Sequence, residues 1–201
     1  DAVVELEVQG RRGRDLVQVL RRAVELALPL VPRRLEVAFG SERAPPELQR
    51  GLALDDFAVS GKIDRIDLDP FSARGIVQDY KSGSAHSAAR IDADGRLQIP
   101  LYALALRDLI GVEPVGALYR SLSGKREARG ILRADEADLV PGLARRDYLD
   151  EDEFWEVVER AKGRAVDAVG RIRQGDVRHD PRAGECPAWC DRWPMCRVER
   201  A

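Results

Sequence analysis

Gly61-Lys62-Ile63-Asp64-Arg65-Ile66-Asp67 and Gly75-Ile76-Val77-Gln78-Asp79-Tyr80-Lys81 each read as a β-strand. The surrounding runs, Phe57 to Leu68 and Ala73 to Tyr80, form a hairpin with Asp69-Pro70 in the turn region. Alternate residues of a strand point to the same face. Asp79 and Lys81 therefore share a face and Tyr80 points to the other. Asp64 precedes Asp79 by 15 residues, close enough for the hairpin to bring them together.

Working outward, residues Asp15 to Leu30 place Leu16, Val19, Leu20, Ala23, Val24, Leu26 and Ala27 at helical spacing, and Pro29 and Pro32 end that helix. Arg34 to Phe39 alternates as a strand that Gly40 stops. Residues 41 to 55, with Pro45-Pro46, read as a loop, and Ser82-Gly83-Ser84-Ala85 as a flexible exit. Residues 97 to 110 return to helical spacing through Leu97, Leu101, Leu104, Ala105 and Leu109. Val115 to Ser121 and Ala128 to Leu132 are two more strands, joined through Ser123-Gly124-Lys125, and Glu153 to Ile172 is a long amphipathic helix. This order predicts an α/β fold, a mixed central β-sheet flanked by helices.

A chain of 201 residues is long enough for one domain with a real core. The net charge is −2, so no global field draws it to nucleic acid. Local clusters such as Arg11-Arg12-Gly13-Arg14 and Lys125-Arg126 are the candidates for such contact, although surface clusters are most often only solvated. No apolar run is long enough to span a bilayer and no signal peptide is visible, so the expected location is cytoplasmic, without membrane contact. The three cysteines fall within 11 residues near the end, unlike a disulfide framework.

Two acids and a lysine at one strand end suit a particular chemistry. Hydrolysis of a phosphodiester needs an activated water and neutralised phosphoryl oxygens. A hard cation such as Mg²⁺ prefers carboxylate, carbonyl and water ligands, which Asp64, Asp79 and the Tyr80 carbonyl supply. Lys81 is placed to orient the water or to offset developing negative charge. The bland alternative is surface charge on edge strands, since Asp-x-Lys alone is common. Gln98 and Tyr102, four apart on the next helix, share a helical face and reach toward the same strand end. Tyr102 alone reads as core, whereas a buried Gln98 needs hydrogen-bond partners.

Gly61 to Asp67, then Asp79-Tyr80-Lys81-Ser82-Gly83, then Gln98-x-x-x-Tyr102, in this order and spacing, resemble the RecB/AddB-like branch of the PD-(D/E)XK nuclease superfamily. The likeness is strongest over residues 34 to 110, the expected catalytic core of a single nuclease domain over residues 1 to 201. It implies a restriction-endonuclease-like core. It also implies cleavage of DNA, at ends or on single strands, as an exonuclease dependent on Mg²⁺ or Mn²⁺. The setting it implies is recombination and repair, with a helicase as partner or on the same polypeptide. Carried over, Asp64 and Asp79 are the metal-binding acids, Lys81 the catalytic lysine, and Gln98 and Tyr102 the motif that follows. The rival reading is a non-catalytic DNA-binding or scaffold domain that keeps the fold.

Cys186, Cys190 and Cys196 form a compact tail, over residues 180 to 201, suited to a metal or cluster site, to reduced structural cysteines, or to redox chemistry. The resemblance implies a [4Fe–4S] cluster held by this triplet and a distant N-terminal cysteine. No fourth cysteine is present; Zn²⁺ with His179 as fourth ligand is the alternative. Trp189 and Trp193 read as shielding that site. The resemblance also expects a metal-binding histidine in a Gly-x-x-x-His helix, whereas the chain's two histidines, His86 and His179, follow Asp79. His86 is expected to be solvent-exposed, and Glu36 to be either a site neighbour or strand-edge surface. One cause accounts for both departures and for an opening at Asp1 rather than Met: an N-terminal segment that supplies the missing Cys and His.

Overall fold

The computed structural model describes residues 30–69 and 72–176. The helix expected over 15–30 lies outside them except for Leu30, as do Arg11 to Arg14 and the tail with His179, Cys186, Trp189, Cys190, Trp193 and Cys196. The described residues fall into two compact units, one ending at Ala165 and one beginning at Val166. In the second, the last turns of a long helix end in a turn closed by the Arg171–Asp176 ion pair at 3.0 Å.

The first unit is built on a six-stranded mixed sheet. Its strands are β1 (Val31–Phe39), β4 (Gly61–Leu68), β5 (Arg74–Lys81), β6 (Glu113–Ser121), β7 (Ala128–Arg133) and β8 (Tyr148–Leu149), neighbours in that order. The pairs β1–β4, β4–β5 and β6–β7 are antiparallel; β5–β6 and β7–β8 are parallel. The central strands β5 and β6 are buried on both faces; the apolar run Pro114 to Tyr119 of β6 reflects this, whereas β5 follows Ile76 and Val77 with buried Gln78 and Asp79. The parallel step from β5 to β6 is bridged by α1 (Ala88–Ala93) and α2 (Gln98–Ile110). Helix α2 ends at Gly111, whose left-handed φ of +73° lets the chain turn, and Glu113 then starts β6 by donating its N–H to the Ala73 carbonyl. Helix α3 (Glu151–Arg173) buries Phe154, Val157, Val158, Ala161 and Ala165.

A core cluster of Leu30, Ile76, Val115, Leu118, Leu132, Leu139 and Leu143 holds the unit together. No helix among the described residues is long and apolar enough to cross a membrane.

The hairpin, the site helix, the β6–β7 pair and the long helix stand where the sequence predicts them. Residues 41–55 are not a plain loop: they hold a 3-10 turn at Pro46–Leu48 and strand β2 (Leu52–Leu54), which pairs with β3 (Phe57–Val59). The run Phe57 to Leu68 is thus broken at Ser60, because its first part pairs with β2 and its second with β1. Strand β1 begins at Val31 and holds Pro32 on an edge strand, next to a register shift between Pro32 and Arg34. Helix α1 and the two-residue β8 carry too little periodicity to be read from sequence.

Asp147 fixes α1 in place. It is fully buried, and its carboxylate accepts from the Ala88 backbone N–H at 3.0 Å and from Arg129 Nε at 2.5 Å. Removing it strands a buried donor and a guanidinium together. Asp147→Ala is therefore expected to cost about 2–4 kcal/mol in denaturant unfolding; a loss under 1 kcal/mol contradicts this role.

Candidate active site

The β4–β5 ladder runs from Leu68↔Gly75 to Arg65↔Gln78 and stops there. One step further in the same register sets Asp64 across from Asp79, on one face of the sheet. The parted strands leave the Tyr80 N–H without a backbone partner, and Asp64 Oδ2 accepts it at 2.9 Å. A strand residue's N–H and C=O point to the same side, so the Tyr80 carbonyl also faces Asp64.

Asp79 is 3% exposed. Its Oδ1 accepts from Gln98 Nε2 at 2.7 Å. Its Oδ2 is buried without a well-directed hydrogen bond, and the Lys81 ammonium lies 2.6 Å away as an ion pair. Burial pushes the Asp79 carboxyl above the usual carboxylate range; the Asp64 charge adds to the rise, and Lys81 opposes it. Lys81 Nζ also donates to Gln98 Oε1 at 2.7 Å, so the amide of Gln98 bridges acid and lysine. Gln98 is the first residue of α2, and Tyr102, one turn on, has its Oη 3.4 Å from Gln98 Nε2. Tyr102 packs edge-on against Phe39 at 6.1 Å. Gly61 permits that packing, since a Cβ there would stand 2.7 Å from the Phe39 ring.

The structure thus brings together all five residues that the sequence singles out, Asp64, Asp79, Lys81, Gln98 and Tyr102. Glu36 is exposed on edge strand β1 and pairs with Lys62. Against expectation, His86 is only half-exposed, because its ring packs edge-on against Tyr119 at 5.5 Å.

Two features were not legible in the sequence. Tyr119 lies beside Asp79 through the parallel β5–β6 register, and its ring carries the Lys81 ammonium 5.1 Å from the centroid. Burial, helped by the Asp79 charge, pushes its hydroxyl up to about 12, so it stays a phenol. Behind the sheet, Arg65 clasps Asp67 at 2.6 and 2.8 Å and donates to Tyr80 Oη at 3.2 Å. Gln78 donates to Asp67 and accepts from Arg120. This buried network ties β4, β5 and β6 together below the site.

The donor set fits a hard divalent cation. Asp79 Oδ2 is a buried carboxylate oxygen lacking a directed donor, with Asp64 and a main-chain carbonyl beside it. Among the described residues no cluster of three His, Cys, Asp or Glu side chains stands ready for a metal.

A model of the PD-(D/E)XK nuclease superfamily matches residues 4–197, and the chain belongs to that superfamily, whose members are generally metal-dependent nucleases. No curated protein matches the chain significantly.

The raised carboxyl of Asp79 has a consequence for stability. The folded, metal-free protein holds this proton more tightly than the unfolded chain, so the group favours folding at acid pH and loses that contribution as pH rises through its folded value. In EDTA, Asp79→Asn is expected to melt above the wild type at neutral pH, with the difference closing as pH falls below the ordinary carboxylate range. A variant that melts lower at neutral pH contradicts the dominance of burial over the Lys81 pair.

Proposed function

We propose that this member of the PD-(D/E)XK nuclease superfamily is a divalent-metal-dependent deoxyribonuclease of the RecB/AddB type. The observation that carries the reading is Asp79 Oδ2, buried and without a directed donor beside Asp64 and Lys81. Asp64, Asp79 and the Tyr80 carbonyl would hold Mg²⁺ or Mn²⁺, which when bound polarises a phosphoryl oxygen and makes a water more acidic.

The chain's own residues do the rest. Gln98 occupies Asp79 Oδ1 and so directs Oδ2 inward. The Lys81 ammonium pairs with Asp79 as an ion and donates to Gln98 Oε1, and its partial exposure leaves it open to a water or a phosphoryl oxygen. Tyr119 supports that cation from below, and Tyr102 keeps the Gln98 amide in place. Hydrolysis then takes the form of water adding to phosphorus as the P–O bond to the leaving strand breaks, with Lys81 offsetting the charge that develops.

The substrate we propose is DNA at ends or on single strands, cut as an exonuclease in recombination and repair, with a helicase as partner or on the same polypeptide. The order and spacing of the three motifs support it. The turn between β6 and β7, with exposed Lys125 and Arg126, lies at the same end of the sheet as Lys81 and offers phosphate contacts. A cytoplasmic location suits three closely spaced thiolates, which need a reducing compartment. A second reading, a non-catalytic DNA-binding or scaffold domain, draws on the absence of a third acid or a histidine beside Asp64 and Asp79 among the described residues. Metal-dependent cleavage separates the two.

Asp64→Ala, Asp79→Ala and Lys81→Ala are each expected to slow degradation of labelled single-stranded DNA by about 10²–10³-fold, roughly 3–4 kcal/mol of barrier. EDTA is expected to abolish it, and Gln98→Ala to act more mildly. Normal cleavage by Asp79→Ala overturns the assignment. For the tail we propose a [4Fe–4S] cluster on Cys186, Cys190 and Cys196 with a fourth ligand that is not a cysteine of this chain. Protein purified without oxygen is then brown, and Cys190→Ser bleaches it. A colourless protein with stoichiometric Zn²⁺ favours the zinc alternative.

A further inference from the structure

Between Lys81 and Gln98 the chain leaves the site strand, forms α1 and returns to the site at the start of α2. This excursion wraps the Tyr119 side chain. His86 packs on the ring edge-on at 5.5 Å and 88°, and the backbone at Ile99, from the other end of the excursion, lies close to the Tyr119 hydroxyl. Arg96, two residues before Gln98, sits close enough to act on both Tyr119 and His86.

Among the described residues the cations Arg96, Arg90 and Lys81 and the Asp94 carboxylate lie within electrostatic reach of His86. Burial first, then the two arginines, holds the imidazole below its ordinary range, so it is neutral at neutral pH. Arg96 commits Nε and Nη2 to Asp94 Oδ2, at 3.3 and 3.1 Å, and keeps Nη1 without a partner among the described residues. Arg90 is exposed and makes no ion pair among those residues. The scaffold under these side chains is fixed, by Asp147 on Ala88, by Ser87 at the start of α1 and by the buried Ile91.

None of the three basic residues joins the hydrogen bonds among Asp64, Asp79, Lys81, Gln98 and Tyr102. They form a basic flank on a rigid support, beside a centre built for phosphate chemistry. We propose that His86, Arg90 and Arg96 form a second phosphate subsite, which holds a phosphodiester neighbouring the one cleaved and so positions the strand. This rests on the nuclease reading and adds the substrate contact on the α1 side. The arginines supply fixed charge and N–H donors. A phosphate brought against His86 favours the imidazolium, so the ring takes up a proton and becomes a donor at both nitrogens.

The test follows the His86 imidazole by NMR in the intact protein with EDTA, assigned by its loss in His86→Gln. A single-stranded oligonucleotide is titrated in, and inorganic phosphate in a separate series. The expected result is a His86 titration displaced to higher pH by both, at lower concentration for the oligonucleotide. The displacement is expected to be lost in Arg96→Gln and in Arg90→Gln.

In steady-state cleavage, each arginine variant is expected to raise KM about tenfold, to leave kcat within about twofold, and to flatten the dependence of log KM on log salt by about 0.7–1. Arg90→Lys is expected to restore most of KM, which a purely structural role would not show. A protein that cleaves DNA while His86 ignores the oligonucleotide and both variants keep KM and salt slope overturns the subsite and leaves the nuclease reading intact. A protein that never cleaves DNA but shows the His86 response keeps the subsite and overturns the nuclease reading. Failure of both cleavage and response overturns both.

Discussion

The Asp79 carboxylate sits at the end of a central strand, out of water, with the Gln98 amide on one oxygen and the Lys81 ammonium against the other. A charge placed there needs compensation from the protein, from a proton or from a cation, because burial penalises the ionised form. Gln98 and Lys81 give part of it, and the rest of the site is organised around what they leave open. Gln98 serves because an amide both donates and accepts, so one side chain at the first position of α2 engages the acid and the lysine together.

Holding that arrangement takes support from both sheet faces. On the site face Tyr119 carries the Lys81 ammonium, and the Phe39–Tyr102 contact fixes the residue behind Gln98. On the opposite face two guanidiniums, Arg65 and Arg120, share one carboxylate and one amide and join three adjacent strands. The alternation of strand side chains connects the faces: Gln78 and Tyr80 serve the rear network, while Asp79 and Lys81, one residue along, serve the site. Movement of the rear network would therefore move the backbone that carries both.

Much of this was legible in the sequence because it is local. The shared face of Asp79 and Lys81 follows from strand period, and the pairing of Gln98 with Tyr102 follows from helical period. The approach of Asp64 follows from hairpin length. What was not legible depends on pairing between distant segments. Tyr119 reaches Asp79 only through a parallel register set by the α1–α2 crossover. His86 sits in a segment without periodicity, and reading it as solvent-exposed failed because its cover is that same Tyr119. Strand β2 was hidden by the prolines before it and by its three-residue length. Arg65 and Asp67 share the motif that carries Asp64, yet the network that buries them depends on Gln78 and Arg120, neither of which stands out alone.

The central claim is that the protein's two facing carboxylates form one divalent-cation site. Calorimetric titration of the intact protein with Mn²⁺, beside Asp64→Asn and Asp79→Asn, tests it most directly and without any substrate. The account predicts Mn²⁺ binding in the wild type that is lost or greatly weakened in each variant, with both variants still folded. Equal Mn²⁺ binding by wild type and Asp79→Asn would contradict it.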